Sequence, residues 1–88
     1  MSKPVILRPA DQKAHERGGG ARTIPLVSPR LGATSFINGI TEFGPGAKIP
    51  WHSHNCEESV MLLEGSAIFD IGDAHYDLQP QDITFIPP

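Results

Sequence analysis

Gly46-Ala47-Lys48-Ile49-Pro50-Trp51-His52-Ser53-His54-Asn55-Cys56-Glu57-Glu58, closed by Gly65, is the stretch on which the reading of this chain turns. Two histidines stand two positions apart, a carboxylate follows four residues after the second, and glycines bracket the group. In an extended strand, residues two apart face the same side. A strand over 49–54 therefore projects His52 and His54 together. Asn55-Cys56-Glu57 reads as a turn, and Glu58 opens the next strand with its carboxylate folded back over the imidazoles. Two neutral imidazole nitrogens and one carboxylate on one face, with open positions opposite, make the facial set of non-haem Fe(II) sites. The same set accepts Mn, Zn, Ni, Co or Cu, so ligand type does not choose the metal. A His-x-His pair alone also describes an exposed polar strand face. The glutamate at this offset and the two glycines tip the reading toward a divalent transition metal on His52, His54 and Glu58. Glu57 is the competing carboxylate. Cys56, in the turn between the ligands, is either a soft alternate ligand or, more simply, a small turn residue.

Outward from this stretch the chain reads as short strands. Nine glycines and nine prolines in 88 residues mean frequent turns and no long helix. Val5-Ile6-Leu7, between Pro4 and Pro9, is expected as an edge strand. Ala10 to Arg17 is polar and is expected as one or two helical turns, stopped by Gly18-Gly19-Gly20 as a flexible joint. Ala21 to Val27 is extended in character, and Pro25 suggests an edge. Thr34 to Phe43 is a further strand, with Gly39 marking a bulge or a close backbone approach. Gly44-Pro45-Gly46 is a turn. Glu58 to Glu64 is the most apolar strand, with Val60-Met61-Leu62-Leu63 expected to be buried on both sides. By parity Val60 and Leu62 share the face of Glu58, while Met61 and Leu63 form core between layers or a dimer surface. Ala67 to Ile71 and His75 to Leu78 make a hairpin around Gly72-Asp73. Gln79 to Asp82 is a turn, and Ile83 to Ile86 is the last strand. His15 reads as a solvated surface histidine. Arg8, Arg22 and Arg30 are available to an anionic substrate, although solvated surface roles explain them better.

The bulk properties narrow the function. The chain is 39% hydrophobic and 19% charged, with a net charge of −3, values of a soluble globular domain. It carries no basic run or stripe, so no nucleic acid is expected as a partner. No apolar run approaches the roughly 20 residues of a membrane-spanning helix, so no membrane partner is expected. The N-terminal residues do not look like a signal peptide. The single cysteine excludes an internal disulfide and fits a cytoplasmic location.

Gly46, His52, His54, Glu58 and Gly65 resemble the first motif of the cupin superfamily, G-x5-H-x-H-x3,4-E-x6-G, with every gap satisfied. The resemblance implies an all-β fold, the double-stranded β-helix: an antiparallel β-sandwich or barrel of jelly-roll type with a metal inside. It also implies ligand roles for His52, His54 and Glu58. The second cupin motif, G-x5-P-x-G-x2-H-x3-N, is matched only in its first half. Gln81 stands where its first glycine would be, Pro87 matches its proline, and its histidine, the fourth ligand, would fall after Pro88. The barrel is therefore expected to be incomplete at the C-terminus, as a fragment of a longer cupin or as a chain completed by a second copy in a homodimer. His75, beside the Gly72-Asp73 hairpin, is poorly placed to replace the missing histidine. Residues 1–33 are expected to form an N-terminal extension with short edge strands and residues 34–88 the cupin core.

Three functions follow from the resemblance. One is a metal-dependent oxygenase, isomerase or lyase acting on a small acid or sugar, with the ion as Lewis acid. Another is a non-catalytic ligand-binding or sensor module. The last is an inactive fragment. The fold does not decide among them.

Overall fold

The computed structural model describes residues 4–48, 56–71 and 73–88. Among them are seven strands and two 3-10 turns, Pro9–Asp11 and Pro29–Leu31, so the class is all-β as expected. The chain divides into two units, Met1–Trp51 and His52–Pro88.

The first unit is a three-stranded antiparallel sheet of β1 (His15–Gly18), β2 (Ala21–Val27) and β3 (Asn38–Phe43), in that order. Thr23, Ile24 and Val27 are β-branched and suit a pleated, half-buried surface. Arg22 on β2 stands opposite Glu42 on β3, and its Nε donates to the carboxylate at 2.7 Å. A second polar row crosses all three strands. Arg17 Nη1 donates to Thr23 Oγ1 at 3.0 Å, and Thr23 Oγ1 lies 3.0 Å from Thr41 Oγ1. Among the described residues of this unit, Ala21 is the buried apolar one, at 1% exposure.

Four expectations for this unit need correction. Val5 to Leu7 forms no strand, and Val5 and Ile6 are exposed. The segment from Ala10 to Arg17 is not helical beyond the 3-10 turn, because His15–Gly18 pairs with β2 as β1. Gly18, Gly19 and Gly20, all at positive φ, form the turn between β1 and β2 rather than a free joint. Pro25 does not put β2 at an edge, since β2 is the central strand. The residues of β2 that pair with β1 are Ala21, Arg22 and Thr23, opposite Gly18, Glu16 and His15, so Pro25 lies past the reach of that strand and forfeits no bond there. Toward β3 the register shifts between Pro25 and Val27, where the Val27 amide donates to the Asn38 side chain at 3.1 Å. Gly39 is a close approach, as expected. It pairs with Pro25, and a Cβ there would stand 2.6 Å from the Ile24 carbonyl oxygen.

The second unit holds two antiparallel pairs, β4 (Glu58–Met61) with β7 (Ile83–Ile86), and β5 (Ala67–Ile71) with β6 (Ala74–Leu78). The expected hairpin over 67–78 is present as β5 and β6. The turn before β7 is closed by the Asp82 amide on the Gln79 carbonyl at 3.0 Å and by the Gln79 amide on the Asp82 carboxylate at 2.8 Å. Among the described residues here, Leu78 is the buried apolar one, at 9% exposure.

The apolar run over 60–63 is not buried on both sides. β4 ends at Met61, and Met61 and Leu63 are 48% and 59% exposed. Val60 and Leu62 are half-buried, so the parity holds while the cover over the second face is absent among the described residues. The β4–β7 ribbon therefore has two unlike faces. Glu58 opposite Ile86 and Val60 opposite Thr84 form the half-buried one, while Ser59 opposite Phe85 and Met61 opposite Ile83 form the exposed one.

Candidate functional site

Of the three residues expected to ligate a metal, the structure places Glu58. It is the first residue of β4 and half-buried. It shares a face with Val60, Thr84 and Ile86, through the register Glu58↔Ile86 and Val60↔Thr84. Thr84 fastens the ribbon beside it, its Oγ1 accepting from the Val60 amide at 3.3 Å and donating to the Val60 carbonyl at 3.4 Å. The pairing continues past β4, with the Leu62 amide donating to the Asp82 carbonyl at 3.0 Å and the Gln81 amide to the Leu62 carbonyl at 2.7 Å. The backbone that carries Glu58 is thus held from Glu58 through Leu62.

Glu57, the competing carboxylate, is exposed and precedes the strand. His52 and His54 lie outside the described residues, as do Trp51 and the whole strand expected over 49–54. Cys56 is described, as an exposed free thiol at a bend. Among the described residues, no three or more His, Cys, Asp or Glu side chains gather into a metal-holding group.

The glycines that bracket the histidines have a definite backbone role. Gly46 has φ 73° and Gly65 has φ 83°, both in the left-handed region where a Cβ is disfavoured. Gln81, at the place of the second motif's first glycine, has φ 75°.

His75 is engaged elsewhere. It stands opposite Asp70 across the β5–β6 hairpin and its Nδ1 hydrogen-bonds the Asp70 carboxylate, with both side chains largely exposed. That hydrogen bond, and then the negative charge of Asp70, raise the imidazole pKa above its ordinary value, against a small opposing effect of burial.

The sequence of residues 39–88 matches the family model of the cupin domain. The match covers more than half of the chain and every residue of the G-x5-H-x-H-x3-E-x6-G pattern, and the chain belongs to the cupin family. Among curated proteins it is 31% identical over 68 residues to auxin-binding protein 1 of Arabidopsis thaliana, covering 69% of this chain and 34% of that protein. It is 40% identical over 43 residues to auxin-binding protein 5 of Zea mays, covering 47% of this chain and 29% of that protein. The chain thus spans about a third of the length of these relatives. No solved structure matches. Among the described residues no helix is long and apolar enough to cross a membrane.

Proposed function

We propose that this chain is a small-molecule-binding cupin domain whose ligand is held by a divalent transition metal on His52, His54 and Glu58. The observation that carries the reading is Glu58. It heads β4 on the half-buried face of the ribbon, at the motif's spacing from the histidines, while Glu57 stays exposed. A half-buried carboxylate beside two neutral imidazoles is a donor set that Fe, Mn, Zn, Ni, Co or Cu accepts. Such an ion would supply Lewis acidity toward a ligand oxygen or carboxylate. Val60 and Ile86, next to Glu58, would exclude water from that side of the ligand.

The matched relatives are named for binding auxin, and this favours binding of a small organic acid over oxygenase, isomerase or lyase chemistry. The same reading keeps residues 34–88 as the cupin core with 1–33 as an extension, and a cytoplasmic location. It also keeps a homodimer, for which the exposed Met61, Ile83 and Phe85 offer an apolar face.

Elemental analysis of the purified chain tests the proposal, alongside His52→Ala and Glu58→Gln. We expect close to one divalent ion per wild-type chain and a loss of bound metal in both variants. Equal metal content in wild type and variants would refute the assignment.

A further inference from the structure

The first unit contains a groove of about 340 Å3 that lies apart from the histidine motif in sequence. Its size is at the low end of ligand pockets, which run from roughly 300 to 1,000 Å3. The two 3-10 turns create it. Pro9–Asp11 packs against β2, and Pro29–Leu31 follows directly on the end of β2, so the segments flanking both turns face a shared hollow.

The lining divides by chemistry. Leu7, Pro25, Leu26 and Leu31 supply an apolar floor. Lys13, His15 and Arg30 supply cationic or donor groups, and Gln12 and Ser28 add an amide and a hydroxyl. No carboxylate lines the groove; the nearby Asp11 and Glu16 are not among its lining residues. Ser28 occupies the N-cap position of the second turn but makes no side-chain cap bond. Its carbonyl accepts from the Leu31 and Ala33 amides at 3.0 and 3.3 Å, which leaves the hydroxyl for another partner. Among the described residues Lys13 and Arg30 form no ion pair.

We propose that this groove binds a small apolar monocarboxylate, with its charge between Lys13 and Arg30 and its apolar body on Leu26 and Leu31. A sugar or a polyanion fits less well. The floor is apolar, and only two side chains, Lys13 and Arg30, carry a fixed positive charge. The groove uses none of the residues of the metal centre proposed above, and its proposal does not depend on that centre.

An amide-resolved NMR titration of the full chain tests this, with benzoate as probe and benzamide as its uncharged counterpart. Divalent metal is first removed with a chelator, so the outcome is independent of the histidine centre. Expected are saturable shifts at Gln12, Lys13, Leu26, Ser28 and Arg30, with benzamide at least about fivefold weaker, because it loses the partly exposed charge contacts to both Lys13 and Arg30. Lys13→Gln/Arg30→Gln should weaken benzoate by about tenfold, from two such contacts. Unchanged amide positions away from the groove would show that this variant folds. Three results would each overturn the proposal: no saturable shift, benzamide binding as well as benzoate, or shifts gathered in residues 56–88.

Discussion

Gln81→Gly should make this protein more stable, although it removes a side chain and replaces it with nothing. Gln81 is exposed and has φ 75°, in the left-handed region. An L-residue pays roughly 1–2 kcal/mol to stay there, because its Cβ crowds the following carbonyl. Glycine pays none of that but loses more backbone freedom on folding, roughly 0.5–1 kcal/mol. The difference favours glycine by about 0.5–1 kcal/mol. The native contact at this position is a backbone one, the Gln81 amide on the Leu62 carbonyl at 2.7 Å, and glycine keeps it. Equilibrium unfolding in urea reads the effect. With a slope near 1 kcal/mol per molar for a small domain, the midpoint should rise by about 0.5–1 M with the slope unchanged. Gln81→Val is the counterpart, since a β-branched residue at positive φ is strained further, and its midpoint should fall by roughly 0.5–1 M. A lowered midpoint for Gln81→Gly, or equal midpoints for the two variants, would refute the backbone argument.

Two further outcomes are expected. Gly39→Ala places a Cβ 2.6 Å from the Ile24 carbonyl oxygen and 3.2 Å from Pro25 Cα, both backbone atoms of the paired strand. Overpacking of this kind costs about 1–3 kcal/mol, offset by about 0.4–1 from the stiffer unfolded chain, so a net loss of about 1–2 kcal/mol is expected in urea unfolding. Gly44→Ala, whose Cβ would meet its nearest atom at 3.6 Å, is the control and should stay within about 0.5 kcal/mol of wild type. For the His75–Asp70 pair, Asp70→Asn should lower the pH at which the His75 ring titrates in NMR. Because the folded pKa is raised, the pair stabilises the protein below the ordinary histidine value of about 6.5 and loses that effect as pH rises through the folded value. The stability gap between wild type and Asp70→Asn should therefore be wider at mildly acidic pH than at alkaline pH.

The strands and their parity were legible in the sequence; their neighbours were not. A period of two places Glu58, Val60 and Leu62 on one face and Met61 and Leu63 on the other, and burial follows that division. It carries no information on whether anything covers the second face, and four apolar residues in a row suggested a cover that the described residues do not supply. Pro25 shows the same limit. Proline removes one donor in one direction, so a central strand tolerates it wherever one neighbour has already ended. β1 is not legible in the sequence because His-Glu-Arg-Gly is polar and has no strand signature of its own. Its conformation comes from pairing with β2 through the glycine turn, which is a tertiary effect. The groove was out of reach for a related reason. Lys13 and Arg30 are distant in the chain, and each alone is an ordinary solvated cation. Only the pairing of β1 with β2 and the two 3-10 turns bring them to one hollow.

The G-x5-H-x-H-x3-E-x6-G motif was the most legible element because its information is local, and the backbone explains the spacing of its glycines. Gly46, Gly65 and Gln81 stand at the places where the two cupin motifs call for glycine, and all three have φ between 73° and 83°. The motifs therefore specify turn geometry as well as residue type: a left-handed residue before the histidine segment, another after β4, and a third before β7. At Gln81 the sequence departs from the pattern, yet the backbone conforms to it. The mismatch is expected to cost stability, and β7 still pairs Ile86 with Glu58. The position of the Glu58 carboxylate is consequently set by strand pairing and turn geometry together. A substitution that alters the turn while keeping the pairing, such as Gln81→Gly, should change stability and leave Glu58 in register.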